Sequence, residues 1–127
     1  MNYSENTLNG TVELLIGTTD MHTLTPVKVV PADGATSTVV YAGTPLTIDG
    51  EVVTPDNLAE KATSLAGILL YDVDTALNPN ATMVQSGPID GQKALVHSGF
   101  NFTKIQLGTI MSALSNIIFR TNVGVNE

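Results

Sequence analysis

Cysteine and tryptophan are both absent from this chain. Without cysteine there is no disulfide framework, no thiolate zinc site and no thiol nucleophile. Cations are scarce as well. Lys28, Lys61, Lys93, Lys104 and Arg120 stand singly against 12 Asp and Glu, for a formal net charge of −7. So sparse a set cannot neutralise a run of phosphates, which argues against nucleic acid as a partner. An anionic membrane surface is disfavoured on the same ground. Long apolar runs are missing too: the longest, Ile68, Leu69, Leu70 and Tyr71, is far too short to span a bilayer. The first residues hold no basic segment leading into an apolar stretch, so a soluble protein made in a cytoplasm, without a secretory leader, is expected.

Charge of either sign is also low. Charged residues make up 13% of the chain, where about 25% is usual, so the surface must be built largely from Thr, Ser, Asn and Gly. Such a surface suits close contact with other protein, because a hydroxyl is cheaper to desolvate than an ion. Against these shortages stand 127 residues that are 43% hydrophobic, with a mean hydropathy of +0.19. That is the length of one domain with a core of its own, and the composition is not that of a disordered chain.

Residues 1–10 are polar and carry no period, which predicts an arm without its own core. The first strand candidate is residues 11–16 (TVELLI), and the second is residues 27–30, between Pro26 and Pro31. Residues 31–34 (PADG) are turn chemistry, and residues 38–41 are strongly β-forming. Residues 45–48 and 51–53 flank Asp49-Gly50, the clearest hairpin signal in the chain. The polar connection that follows holds one helical turn, with Asn57 and Glu60 at capping-box spacing.

Residues 66–73 (AGILLYDV) read as a buried strand. Residues 74–92 read as a loop-rich excursion, punctuated by Asn78-Pro79-Asn80, Ser86-Gly87-Pro88 and Asp90-Gly91, with a short strand around Met83 and Val84. Residues 93–100 (KALVHSGF) read as another strand. One helix, over about 103–115, has Thr103 and Gln106 as a capping-box pair and Leu107, Ile110, Met111 and Leu114 as an apolar stripe. Residues 117–120 close the chain as a short strand. The expected fold class is therefore mainly β with a minor α part, a small barrel-like or sandwich domain. The expected division is residues 1–24 as arm plus first strand candidate and residues 25–127 as the β-rich domain.

Candidate chemistry is thin. Asp72 and Asp74 lie at strand spacing, which aims both carboxylates to one face, and with Asp90 they are the best candidates for a hard-cation site. No Asp-x-Asp-x-Asp-Gly loop with a distal Glu follows, and they read better as solvated acids at a strand end. His97, in Leu95-Val96-His97-Ser98, reads as a half-buried, hydrogen-bonded strand residue; as strand neighbours, His97 and Ser98 face opposite ways and cannot form a hydrolytic pair. His22 lies far off in a polar connection, so a two-histidine zinc site has little support. No phosphate-binding glycine motif and no nucleophile elbow occurs. No enzyme, cofactor or metal is expected.

Ala42-Gly43-Thr44-Pro45-Leu46, then residues 66–74 (AGILLYDVD), then residues 93–100 (KALVHSGF), then a short helix and Ile117-Ile118-Phe119, follow one another in an order and spacing that resemble the head decoration (capsid cement) family of tailed phages. The resemblance covers about residues 27–120. It implies a β-tulip-like domain that forms homotrimers, with the major capsid protein of an HK97-type shell as partner. It also implies a place on the outer surface of the expanded capsid in the virion, after synthesis in the host cytoplasm, and an N-terminal arm that orders on the shell. The residues fit an arm of this kind: a run of six β-prone residues is a liability unless it pairs, and adding it to a sheet edge of the shell would satisfy its backbone. The capsid-binding arm is thus expected to include Tyr3, Thr11, Val12, Glu13, Leu14, Leu15 and Ile16. The alternative is a receptor- or glycan-binding module of a phage tail or fibre; with three Tyr, three Phe and no Trp, stacking platforms are few.

Overall fold

The computed structural model describes residues 14–17 and 19–120, and the architecture is mainly β. In chain order the elements are β1 (Thr23–Lys28), β2 (Val39–Val40), β3 (Pro45–Thr47), α1 (Leu58–Lys61), β4 (Leu65–Leu69), β5 (Val73–Asp74), β6 (Asn80–Asp90), α2 (Gly91–Ser98), α3 (Lys104–Ala113) and β7 (Ile117–Arg120). No helix among the described residues is long and apolar enough to cross a membrane.

The 11-residue β6 is the spine of the larger sheet. Its first half pairs antiparallel with β1, from Lys28↔Asn80 to Thr23↔Ser86, and with β4 through Ile68↔Val84 and Leu69↔Met83. Its second half pairs in parallel with β7, from Gly87↔Ile117 to Asp90↔Arg120. The partners change at Gly87, which takes φ 104°, a backbone state nearly closed to other residues. Ser86-Gly87-Pro88 therefore bends a strand instead of ending it, and the loop-rich excursion expected over 74–92 is for the most part the longest strand described. Pro26 sits within β1, at the edge of the sheet, where a missing N–H costs no ladder bond.

Alternation along the strands sends side chains to two faces. Ile68, Leu70, Val84 and Ile89 pack with Leu14, Ala94, Ile110, Leu114 and Ile117 beneath the helices. Leu69 and Met83 face the other way and pack with Val29, Val40, Leu46, Val52 and Val73. Two isolated bridges, Leu46↔Val52 and Val30↔Glu51, carry backbone pairing from β3 onward to Val30, two residues past the end of β1. The small β2–β5 pair, Val39↔Asp74 and Val40↔Val73, lies off the main sheet and closes over the second core.

Several local expectations hold and several do not. α3 carries the complete capping box, with Thr103 Oγ1 accepting from Gln106 N and Gln106 Oε1 accepting from Thr103 N. The Asp49-Gly50 hairpin forms, with Gly50 N donating to Thr47 O at 2.9 Å. α1 is present, but Asn57 makes no side-chain cap to it. Its Oδ1 accepts from Thr54 N and its Nδ2 donates to Val52 O, so the amide ties the turn to the strand before it.

The strand expected over 93–100 is the helix α2. Asp90 caps it by accepting from Lys93 N at 3.0 Å, and Gly99, at φ 80°, ends it in the left-handed region. Its buried residues are Ala94 and Ser98, one helical turn apart. The division expected at 24/25 cuts through β1, and Leu14 is 1% exposed within the helix-side core. From Leu14 on, the described chain packs into the body of the fold.

Candidate functional site

The expected capsid-binding arm divides at Leu14. Tyr3, Thr11, Val12 and Glu13 lie outside the described residues. Leu14, Leu15 and Ile16 are paired with this chain's own sheet: Leu14 O accepts from Asp90 N at 2.8 Å, Leu15 bridges Ile89 antiparallel, and Ile16 N donates to Pro88 O at 3.2 Å. These three residues are thus not a free strand waiting for a foreign edge. The cause is local, since the half of β6 beyond Gly87 has a vacant side that β1 does not reach, and a β-prone run on the same chain fills it. His22 Nε2 also meets Pro88 O, at 2.7 Å. Asp90 joins three parts of the fold, its N–H holding Leu14, its backbone ending β6 and its carboxylate capping α2.

The carboxylates considered for a cation site are drawn into separate tasks. Asp72 Oδ1 accepts from Ala42 N at 2.9 Å and meets His97 Nε2 at 2.8 Å. Asp74 Oδ1 accepts from Thr38 Oγ1 and from Ala76 N, a turn-forming pattern. Asp90 caps α2. Among the described residues no group of three His, Asp or Glu is gathered as a metal site would require. His97 is half-buried and hydrogen-bonded, though on a helix and not a strand; Tyr41 meets its ring edge-on, with centroids 5.7 Å apart. Ser98 turns away, its Oγ donating to Leu95 O at 2.9 Å.

The Asp72 carboxylate therefore links β4–β5, the 41–43 turn and α2. Ala42 is fully buried, so removing its acceptor leaves a buried N–H without a partner. We expect Asp72→Ala to lose about 2 kcal/mol of stability and Asp72→Asn, which keeps an acceptor oxygen, less than half of that. Urea denaturation of the two variants beside the parent checks this; equal losses would mean that the carboxylate does not serve as the acceptor described.

Two hollows escape a reading of the sequence. One, of about 180 Å³, is almost wholly apolar and lies between the Gly43–Pro45 turn, α2 and α3, with Ala94, Leu107, Met111 and Phe119 on its walls. The other is an open groove of about 660 Å³ between the loop at residues 31–41 and α1. Tyr41 and Phe100 stand among its walls, as do Asp33, Asp56 and Glu60. The one trace of this groove in the sequence is the turn-rich stretch 31–37, which separates two strands without a period of its own.

No protein-family model matches the chain, and no curated protein or solved structure matches it either.

Proposed function

We propose that this chain is a structural virion protein that binds the outer surface of an expanded phage capsid and stabilises it as a trimeric cement. The observation that carries this reading is how the N-terminal segment enters the fold. Leu14 is fixed in the core and residues 14–16 are hydrogen-bonded along β6. Force applied to the residues before them passes directly into the strand that also pairs with β1, β4 and β7. A cement needs that coupling: a segment that grips the shell is of use only if its root does not pull out of the body.

Other features support the reading. The surface is poor in charge, as suits close protein contact. The bridges that carry pairing from β3 round to Val30 favour the barrel-like curl of a β-tulip. The order of residue blocks resembling the decoration family runs through β3, β4, α2 and β7. In a trimer, three gripping segments on one rigid body raise avidity by roughly 10²–10⁴ over a single one. No reactive group takes part; the product is resistance of the shell to pressure from packaged DNA.

Purified protein should co-sediment with expanded HK97-type shells. Heads stripped of it should release DNA at a lower temperature, or earlier under chelation, than decorated ones. Coincident release curves for stripped and decorated heads would contradict a cementing role, and selective binding on a glycan array would favour a receptor-binding module instead.

A further inference from the structure

The 660 Å³ groove beside residues 31–41 falls within the range of about 300–1,000 Å³ usual for binding sites, and its walls combine two chemistries. Tyr41, 45% exposed, and the half-buried Phe100 are aromatic. Asp33, Asp56 and Glu60 are acidic. One cation lines the groove, Lys61, and it is hydrogen-bonded to Glu51 at 2.9 Å. That bond holds the Lys61 ammonium above its ordinary range, partial burial works against it, and the nearby Asp33 and Glu60 push further in the same direction as Glu51. A single ammonium thus sits within the field of several carboxylates, and the groove keeps a net negative charge.

One wall of the groove is the turn-rich loop 31–37, whose described backbone makes one backbone–backbone hydrogen bond, from Ala35 N to Ala32 O. A peptide chain laid in the groove would lie against this loop.

Charge decides what that chain is. Residues 1–13 and 121–127 contain Glu5, Glu13 and Glu127 and neither Lys nor Arg, so this protein's own termini would be repelled. A second copy offers only single, scattered cations, Lys28, Lys61, Lys93, Lys104 and Arg120, and no run of basic side chains to match the groove, and nucleic acid is excluded by its phosphates.

We propose that the groove docks a cationic segment of another protein, with basic side chains toward Asp33, Asp56 and Glu60 and an aromatic or apolar side chain toward Tyr41 and Phe100. The inference stands on the groove and not on the shell reading, so either can fail without the other.

The test uses the full chain and a short fluorescein-labelled peptide that alternates lysine with threonine and carries one central tyrosine, followed by fluorescence anisotropy at low ionic strength. The peptide should bind, its glutamate-for-lysine counterpart should not, and salt should weaken the complex. Asp56→Asn with Glu60→Gln should weaken binding by about fivefold. Both residues are exposed on the surface, so the fold should tolerate the changes. Asp20→Asn with Asp49→Asn, which removes two exposed carboxylates outside the groove walls, should leave binding unchanged. In NMR titration of the same complex, the amide shifts should concentrate at residues 31–41 and 54–61. No binding of the lysine peptide, equal loss in the two double variants, or shifts scattered over all acidic positions would each overturn the proposal.

Discussion

Deleting residues 1–11 should leave the melting temperature within about 3 °C of the full chain yet reduce binding to expanded shells by about a hundredfold or more. Deleting residues 1–16 should do both kinds of damage. The longer deletion removes Leu14 from the core, and losing a fully buried leucine costs about 2–5 kcal/mol. It also strips Ile89 and Asp90 of their partners on the side of β6 away from β7. Sequence alone places the whole of 11–16 in a separable arm, and on that view both deletions would leave an equally stable body. Thermal melts of the two truncations beside shell co-sedimentation therefore separate anchoring from gripping. A 1–11 deletion that binds shells as tightly as the full chain would remove the arm from the account, and a 1–16 deletion that melts with the parent would remove the anchor.

The second large effect is expected at Gly43, where the 41–43 turn meets α2. Gly43 takes φ 95°, and a Cβ there would lie 2.2 Å from the carbonyl oxygen of Ala94, which is helix backbone and cannot swing aside. Its N–H meanwhile donates to Leu69 O at 2.8 Å, so the turn cannot simply lift away from the sheet. Gly43→Ala should cost about 3–5 kcal/mol, from backbone strain and forced separation together, and lower the melting temperature by on the order of 10 °C or more. Gly34→Ala is the matched control. Gly34 also has a positive φ, 80°, but a Cβ there meets nothing within 4 Å, so the loss should stay near 1 kcal/mol. Differential scanning calorimetry of both variants reads the difference; equal losses would mean that α2 does not rest on this turn.

What was legible in the sequence had local causes. α3 announces itself because Thr103 and Gln106 satisfy the helix start by themselves. The Asp49-Gly50 turn does so because its glycine supplies the required backbone state where two short β runs meet. Of the single buried strand expected over 66–73, the first part is found as β4; after Leu69 the chain leaves the main sheet, and Val73–Asp74 form β5 in the separate pair with β2. β6 was hidden because Ser86-Gly87-Pro88 is equally good chemistry for a turn and for a bend in a strand, and the choice is made by β7, about thirty residues further on. α2 was hidden because it is short and its centre, Leu95-Val96, is β-prone; the deciding signals were Asp90 and Gly99 at its two ends.

The sites were less legible than the fold. The link between Asp72 and His97 joins residues 25 apart in sequence and depends on His97 lying on a helix, where the sequence pattern predicts a strand. The groove brings Asp33, Tyr41, Asp56 and Phe100 together from four segments, and no local pattern encodes such a meeting. The root of the arm was missed because a β-prone run looks the same whether it pairs with its own sheet or with another protein's.

Electron cryomicroscopy of expanded HK97-type shells incubated with the full chain tests the cement reading most directly. We expect trimeric density on the outer surface, with residues before Leu14 traceable onto the shell, and loss of that density when residues 1–11 are deleted. Shells that stay bare at saturating protein would contradict it.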